Sequence, residues 1–168
     1  MPDSYELYLI RHAVAEERGD AWPDDSRRPL SEDGIAKMKK NARGLVRIGV
    51  VFDVVLTSPL VRARQTAEIV AAAYSTRPPI VVIESLSTEG SAQAVITDLE
   101  AHSRRGRIAL VGHEPNIGEL AAKLAGARRV LEFKKGAVCR IDVESLPPAG
   151  PGTLKWFLTP RIMRELRK

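Results

Sequence analysis

Leu7-Tyr8-Leu9-Ile10-Arg11-His12-Ala13 runs from four apolar residues straight into a cation and an imidazole. An apolar run without polar alternation reads as a strand buried on both faces, the kind found in parallel sheets covered by helices. Arg11 and His12 then stand at the strand's exit. Arg can hold the oxygens of a phosphate while a neutral His offers a nucleophilic nitrogen, so the pair suits an anionic reacting group.

Further apolar runs at 53–56, 80–83 and 108–111 alternate with helical patterns, which predicts a mostly parallel central sheet with helices on both faces. The expected fold class is α/β, a three-layer sandwich. Ser31-Glu32-Asp33 is a helix start, with Ser31 as cap and two acids in the first turn. Ile35, Met38, Ala42, Leu45 and Val46 recur at helical spacing, and Gly49 is the expected stop. A second helix should follow Ser58, with Pro59 in its first position and Leu60, Ala63, Ala67 and Val70 facing inward. Arg62 then lies in the first turn, able to reach back to the strand ends, with Thr66 one turn on. Arg64 projects ~200° around the axis and belongs to a solvated face. A third helix is expected from about Ser91 to His102 and a fourth from Pro115. Segments 137–143 and 153–158 read as strands joined by the Pro/Gly loop 146–152.

Two more strand exits carry chemistry. Thr57-Ser58-Pro59-Leu60-Val61-Arg62-Ala63-Arg64-Gln65-Thr66-Ala67 and Val111-Gly112-His113-Glu114-Pro115-Asn116 each follow an apolar run. Arg11, His12, Arg62 and His113 therefore gather where ligands of open α/β sheets bind, outside the carboxyl ends of the strands. His102 has no motif around it and reads as a surface or core-edge residue.

The 168 residues are expected to form one domain spanning 1–168, long enough to bury a core unaided. A lone Cys excludes an internal disulfide, and Cys139 sits in a strand-like segment as a packed thiol. The N-terminus has no signal-peptide pattern and no apolar run approaches the ~20 residues that cross a bilayer. A cytoplasmic protein without membrane contact is expected. Lys and Arg number 26 against 21 acids, but the cations are dispersed, from Lys37 to the tail Arg161, Arg164, Arg167 and Lys168, and aromatics are only 5%. That argues against a nucleic-acid platform and for attraction of anionic substrates. Three His and one Cys without a helical His pair make no zinc set, and no P-loop is present, so no metal or other cofactor is expected.

The motifs resemble the histidine phosphatase superfamily, whose first motif is Arg-His followed by a small residue, and within it the small bacterial SixA-type phosphohistidine phosphatases. The likeness runs through residues 7–13, Arg-Pro-Leu-Ser-Glu-Asp-Gly at 28–34, Ser-Pro-Leu-Val-Arg-Ala-Arg-Gln-Thr-Ala at 58–67, Val-Gly-His-Glu-Pro at 111–115 and Lys-Trp-Phe-Leu-Thr-Pro at 155–160. Ala13 stands where the wider superfamily usually has Gly, and a small residue is kept. The resemblance implies a phosphoglycerate mutase-like fold and a phosphatase. His12 would attack phosphorus to form a phosphohistidine intermediate, Arg11 and Arg62 would clamp the nonbridging oxygens, and His113 would add a donor. Ester-cleaving members commonly place a carboxylic acid after the third strand. Here that segment is 84–90, with Glu89 the better-placed candidate and Glu84 the weaker, and each reads more readily as a solvated loop acid. Phosphohistidine, with its labile P–N bond, needs less acid assistance. Arg28 either borders the pocket mouth or ties its own loop. Short connections imply an open site fitted to a phosphorylated protein, such as a phosphotransfer domain or phosphocarrier. A small phosphate ester is the alternative substrate, a noncatalytic phosphate-recognition module the remaining rival, and a monomer the expected state.

Overall fold

A computed structural model describes residues 1–166; Arg167 and Lys168 of the basic tail lie outside the described residues. In chain order the elements are β1 (Tyr5–Arg11), α1 (Glu32–Arg47), β2 (Val54–Thr57), α2 (Val61–Ala72), β3 (Ile80–Val82), α3 (Ala92–Asp98), β4 (Arg107–Gly112), α4 (Asn116–Ala125), β5 (Val138–Val143), β6 (Thr153–Leu158) and α5 (Pro160–Leu166). The strands form one sheet in the order β3-β2-β4-β1-β5-β6. β3, β2, β4 and β1 are parallel, while β5 runs antiparallel to both of its neighbours.

The unalternating run in β1 serves two cores at once. Leu7 and Leu9 pack with Val95 of α3 and Leu120 and Leu124 of α4. Tyr8 and Ile10 turn to the other face and meet Met38 and Leu45 of α1 and Ala63 and Val70 of α2. Successive strand residues point to opposite faces, so covering both faces requires every position to be apolar. The result is the α/β three-layer sandwich.

Ser31 caps α1 by accepting the Gly34 N–H at 3.0 Å, and α1 gives way to Gly49 at φ +82°, a region glycine enters at little cost. Several boundaries differ from the sequence reading. Val46 is exposed, because the inward stripe of α1 runs through Met38, Ala42 and Leu45. α2 begins at Val61 instead of Pro59: the Ser58 hydroxyl accepts the Leu60 N–H at 3.2 Å, so Pro59 and Leu60 form a bend before the helix. α3 stops at Asp98, and Leu99–His102 tightens into a 3-10 turn. α5 escapes the sequence reading because its seven residues bury only Met163. It packs on α1, where Gly44 lies so close to the Met163 main chain that a β-carbon would not fit. Cys139 is buried, and burial pushes its thiol up to about 12. No described helix is long and apolar enough to cross a membrane.

Candidate active site

β1, β2 and β4 end side by side, and backbone hydrogen bonds lace their exits together. His12 N–H donates to Gly112 O at 3.0 Å, and Ser58 N–H donates to Val111 O at 3.1 Å. Gly136, at φ +86°, presents its N–H to the carbonyls of both Arg11 and His12 at 3.1 Å. The backbone of the two residues that open the first motif is thereby fixed independently of their side chains.

His12 is buried, with Nδ1 2.7 Å from the Ala13 carbonyl. A carbonyl only accepts, so Nδ1 carries the proton and Nε2 keeps its lone pair. Burial, then the proximity of His113, Arg62 and Arg11, drives the His12 pKa down to about 3 against the pull of the Ala13 hydrogen bond. Near neutral pH the ring is uncharged and nucleophilic. The His113 ring lies 5.1 Å from it, centroid to centroid. Its Nε2 is 2.7 Å from Ser58 Oγ, while its buried Nδ1 has no partner. Burial, followed by Arg62, lowers the His113 pKa to about 3 as well.

Two guanidinium groups flank the imidazoles. Arg62, second in α2 and 1% exposed, donates through Nη1 to Asp25 O at 2.9 Å and through Nη2 to Asp25 Oδ2 at 3.0 Å. Arg11 Nη1 donates to Phe133 O at 2.7 Å. The Nε of each is buried without a partner. The next residues of the Arg62 motif are ties. Thr66 Oγ1 accepts the Ala13 N–H at 3.1 Å and donates to Arg62 O at 2.8 Å, and Gln65 Oε1 accepts the Leu30 N–H at 2.7 Å. They bind α2 to the first motif and to the Arg-Pro-Leu segment, and Ala13 keeps the loop intact.

These groups line a cleft of about 330 Å³. Arg28 lines it too, and it also ties its own loop: Nε donates to Asp25 Oδ1 and Nη1 to Glu16 O, both at 2.8 Å. Glu89 is not brought in. It is exposed, and Thr88 is the residue of that loop on the cleft wall. The Asn116 side-chain amide faces the carbonyls of Ser87, Thr88 and Gly90 at 3.1–3.3 Å, which fixes this course of the loop.

Sequence reasoning missed several charged groups at the cleft, among them the wall acids Glu16 and Glu17. Arg18 and Lys135 add positive charge to the wall. Asp25 holds Arg62 and Arg28; burial opposes its ionisation, but hydrogen bonding from Arg28 and the charges of Arg62, Arg28 and Arg18 pull its carboxyl below the usual range. Glu114 accepts the Gly118 N–H at 2.8 Å, yet burial raises its pKa above the usual range, outweighing that bond and the nearby Arg11. Asp25 sits in an aperiodic loop that offers no signal; for Glu114, adjacency to His113 is the clue available.

Residues 7–88 match the histidine phosphatase superfamily (branch 1). An uncharacterized protein of Picosynechococcus sp. (strain PCC 7002) is 42% identical over 122 residues, covering 71% of this chain and 73% of that protein. The chain belongs to the histidine phosphatase superfamily. Phosphohistidine phosphatase SixA of Escherichia coli K12 is 29% identical over 160 residues, 92% of this chain and 94% of its own. A structure of the protein histidine phosphatase SixA complexed with tungstate superposes with a TM-score of 0.83 at 25% identity, covering 94% of this chain and 99% of that one. The histidine phosphatase assignment makes the chain a phosphatase of SixA type, acting on a phosphate-bearing substrate.

Proposed function

We propose that this phosphatase removes the phosphoryl group from phosphohistidine on a protein, through a covalent intermediate on His12. The observation that carries the reading is His12 itself, its Nδ1 proton spent on Ala13 O and its Nε2 free beside Arg11, Arg62 and His113. Nε2 attacks phosphorus as the substrate's P–N bond breaks, and the imidazole that leaves carries the proton already on its ring. Water then attacks the phosphorylated His12, which releases inorganic phosphate and restores the neutral ring. Arg11 and Arg62 hold the nonbridging oxygens, where charge is spread during transfer. Ser58 can donate to His113 Nε2, leaving His113 Nδ1–H as a further donor.

The overlap with SixA along nearly the whole chain supports phosphohistidine as substrate. So does the state of Asp25, which three arginines engage and keep ionised, and which therefore cannot serve as an acid. One observation supports a second reading. The raised carboxyl of Glu114 on the cleft wall could protonate the alkoxide of a small phosphate ester, a role closed to Glu89, which does not line the cleft.

The test is phosphate release from a phosphohistidine-bearing phosphocarrier and from p-nitrophenyl phosphate by wild type, His12→Ala and Glu114→Gln. The phosphohistidine reading expects wild type to favour the phosphocarrier, Glu114→Gln to retain that activity and His12→Ala to lose it. An inert phosphocarrier alongside ester turnover that collapses in Glu114→Gln would replace it with the ester reading.

A further inference from the structure

Beside the cleft lies a second opening of about 590 Å³ between α1, the start of α5 and the turn at 134–135. Arg11 and Lys135 line both openings, so the two are continuous at those side chains. The floor is neutral and largely apolar, built by Ala13, Val14, Gly34, Met38 and Pro160 together with the Asn41 amide. Its rim is cationic: Lys37, Lys134, Lys135, Arg161 and Arg164, with no acidic side chain among the lining residues. Lys37 is balanced by Asp33 at 2.7 Å. No described acid lines the groove beside Lys134, Lys135, Arg161 or Arg164, whereas Arg18, Arg28 and Arg62 across the cleft all share Asp25. The Lys135 pKa is lowered, by burial first and then by the charges of Arg11, Arg28, Arg18 and Arg62 on the cleft side.

The cleft at His12 accounts for a single transferring phosphoryl group, but not for Lys134, Arg161 and Arg164, which line the groove alone. We propose that the groove is a docking surface for acidic side chains that flank the phosphohistidine of the substrate protein. This rests on the phosphohistidine reading above and adds to it a determinant of which phosphoproteins are accepted. Charge complementarity selects the occupant: cations around a neutral floor with no acid among the lining residues attract carboxylates and guide the phosphohistidine toward His12. A nucleic acid is disfavoured because no aromatic side chain lines the groove to stack a base. α5 thereby acquires a purpose, since it contributes Arg161 and Arg164 to the groove lining.

The experiment uses three substrates: free phosphohistidine, a short phosphohistidine peptide flanked by Asp and Glu, and the same peptide with Asn and Gln instead. Each is hydrolysed by wild type and by the double variant Lys134→Glu/Arg161→Glu, whose exchanged side chains are exposed and lie outside the His12 cleft. Wild type is expected to show a kcat/KM about tenfold higher for the acidic peptide than for its amide counterpart, carried by KM and shrinking as salt screens the charges. The double variant should lose or invert that preference while hydrolysing free phosphohistidine as wild type does. Equal rates on both peptides in wild type, or a preference that survives the double variant, would overturn the docking surface and leave the phosphohistidine reading standing. Failure of wild type on all three substrates, with p-nitrophenyl phosphate still hydrolysed, would instead overturn the reading beneath it. Inhibition by single-stranded nucleic acid without any peptide preference would assign the groove to a different polyanion and overturn the proposal.

Discussion

Two charged clusters share one sheet and differ in how their polar atoms end. Toward the amino end of β1, Arg140 donates to both carboxylate oxygens of Asp142 at 2.7 and 2.9 Å and approaches Glu6 at 3.2 Å, while Tyr8 OH donates to Glu6 and its ring lies 5.8 Å from the guanidinium. At the carboxyl end, Arg11 Nε, Arg62 Nε and His113 Nδ1 are buried with no partner. A buried polar atom left without a hydrogen bond costs free energy, so a fold retains it only where something compensates. The closed cluster fastens β1 to β5. The open one is built for an anion that arrives from outside.

Substitutions can break that contrast, and the largest effect falls on the nucleophile. His12→Ala should reduce phosphate release by at least about a thousandfold with the fold intact by circular dichroism. Arg62→Ala should cost about 10²–10³ in kcat, whereas Arg140→Met, in the closed cluster, should leave kcat within about twofold and lower stability by about 1 kcal/mol. Equal kinetic damage from the two Arg variants would abolish the distinction between the ends. Asp25→Asn should lower kcat/KM by about tenfold, because Arg62 keeps its charge but loses a carboxylate that aims it. An unchanged kcat/KM would show that Asp25 acts on the loop alone.

The smallest effect is in stability against pH. Both imidazoles titrate near 3 in the folded chain and near 6.5 when unfolded, so between those values the unfolded chain binds more protons. Stability should therefore fall as pH drops from about 6.5 toward 3. Urea midpoints at intervals across that range should decline less steeply in His12→Gln/His113→Gln than in wild type. Parallel slopes would mean that the rings are not held neutral.

The parallel part of the sheet is legible in the sequence because its strand cores are apolar runs, and those of β1, β2 and β4 end in motifs; the unbroken apolar stretch from Leu7 to Ile10 by itself implies burial on both faces. The four motif residues can be grouped because parallel strands put their exits on one edge. What the sequence hides is the matter lying between the elements. Asp25 reaches Arg62 across 37 positions through a loop without periodicity. The course of the loop carrying Thr88 and Glu89 is held by Asn116 at the start of α4, a contact between distant segments that no spacing encodes. α5 presents a single buried residue, too little for a hydrophobic pattern, and so the groove that it completes is invisible as well.

The central claim is that phosphorus passes through His12 Nε2. Rapid quenching of a single turnover on the phosphohistidine phosphocarrier, under alkaline conditions that preserve phosphoramidates, followed by peptide mapping by mass spectrometry, tests it most directly. The account predicts one transient phosphoryl group on the peptide containing His12, appearing before free phosphate and absent from His12→Ala. Full-rate phosphate release with no label on that peptide at any time point would contradict it.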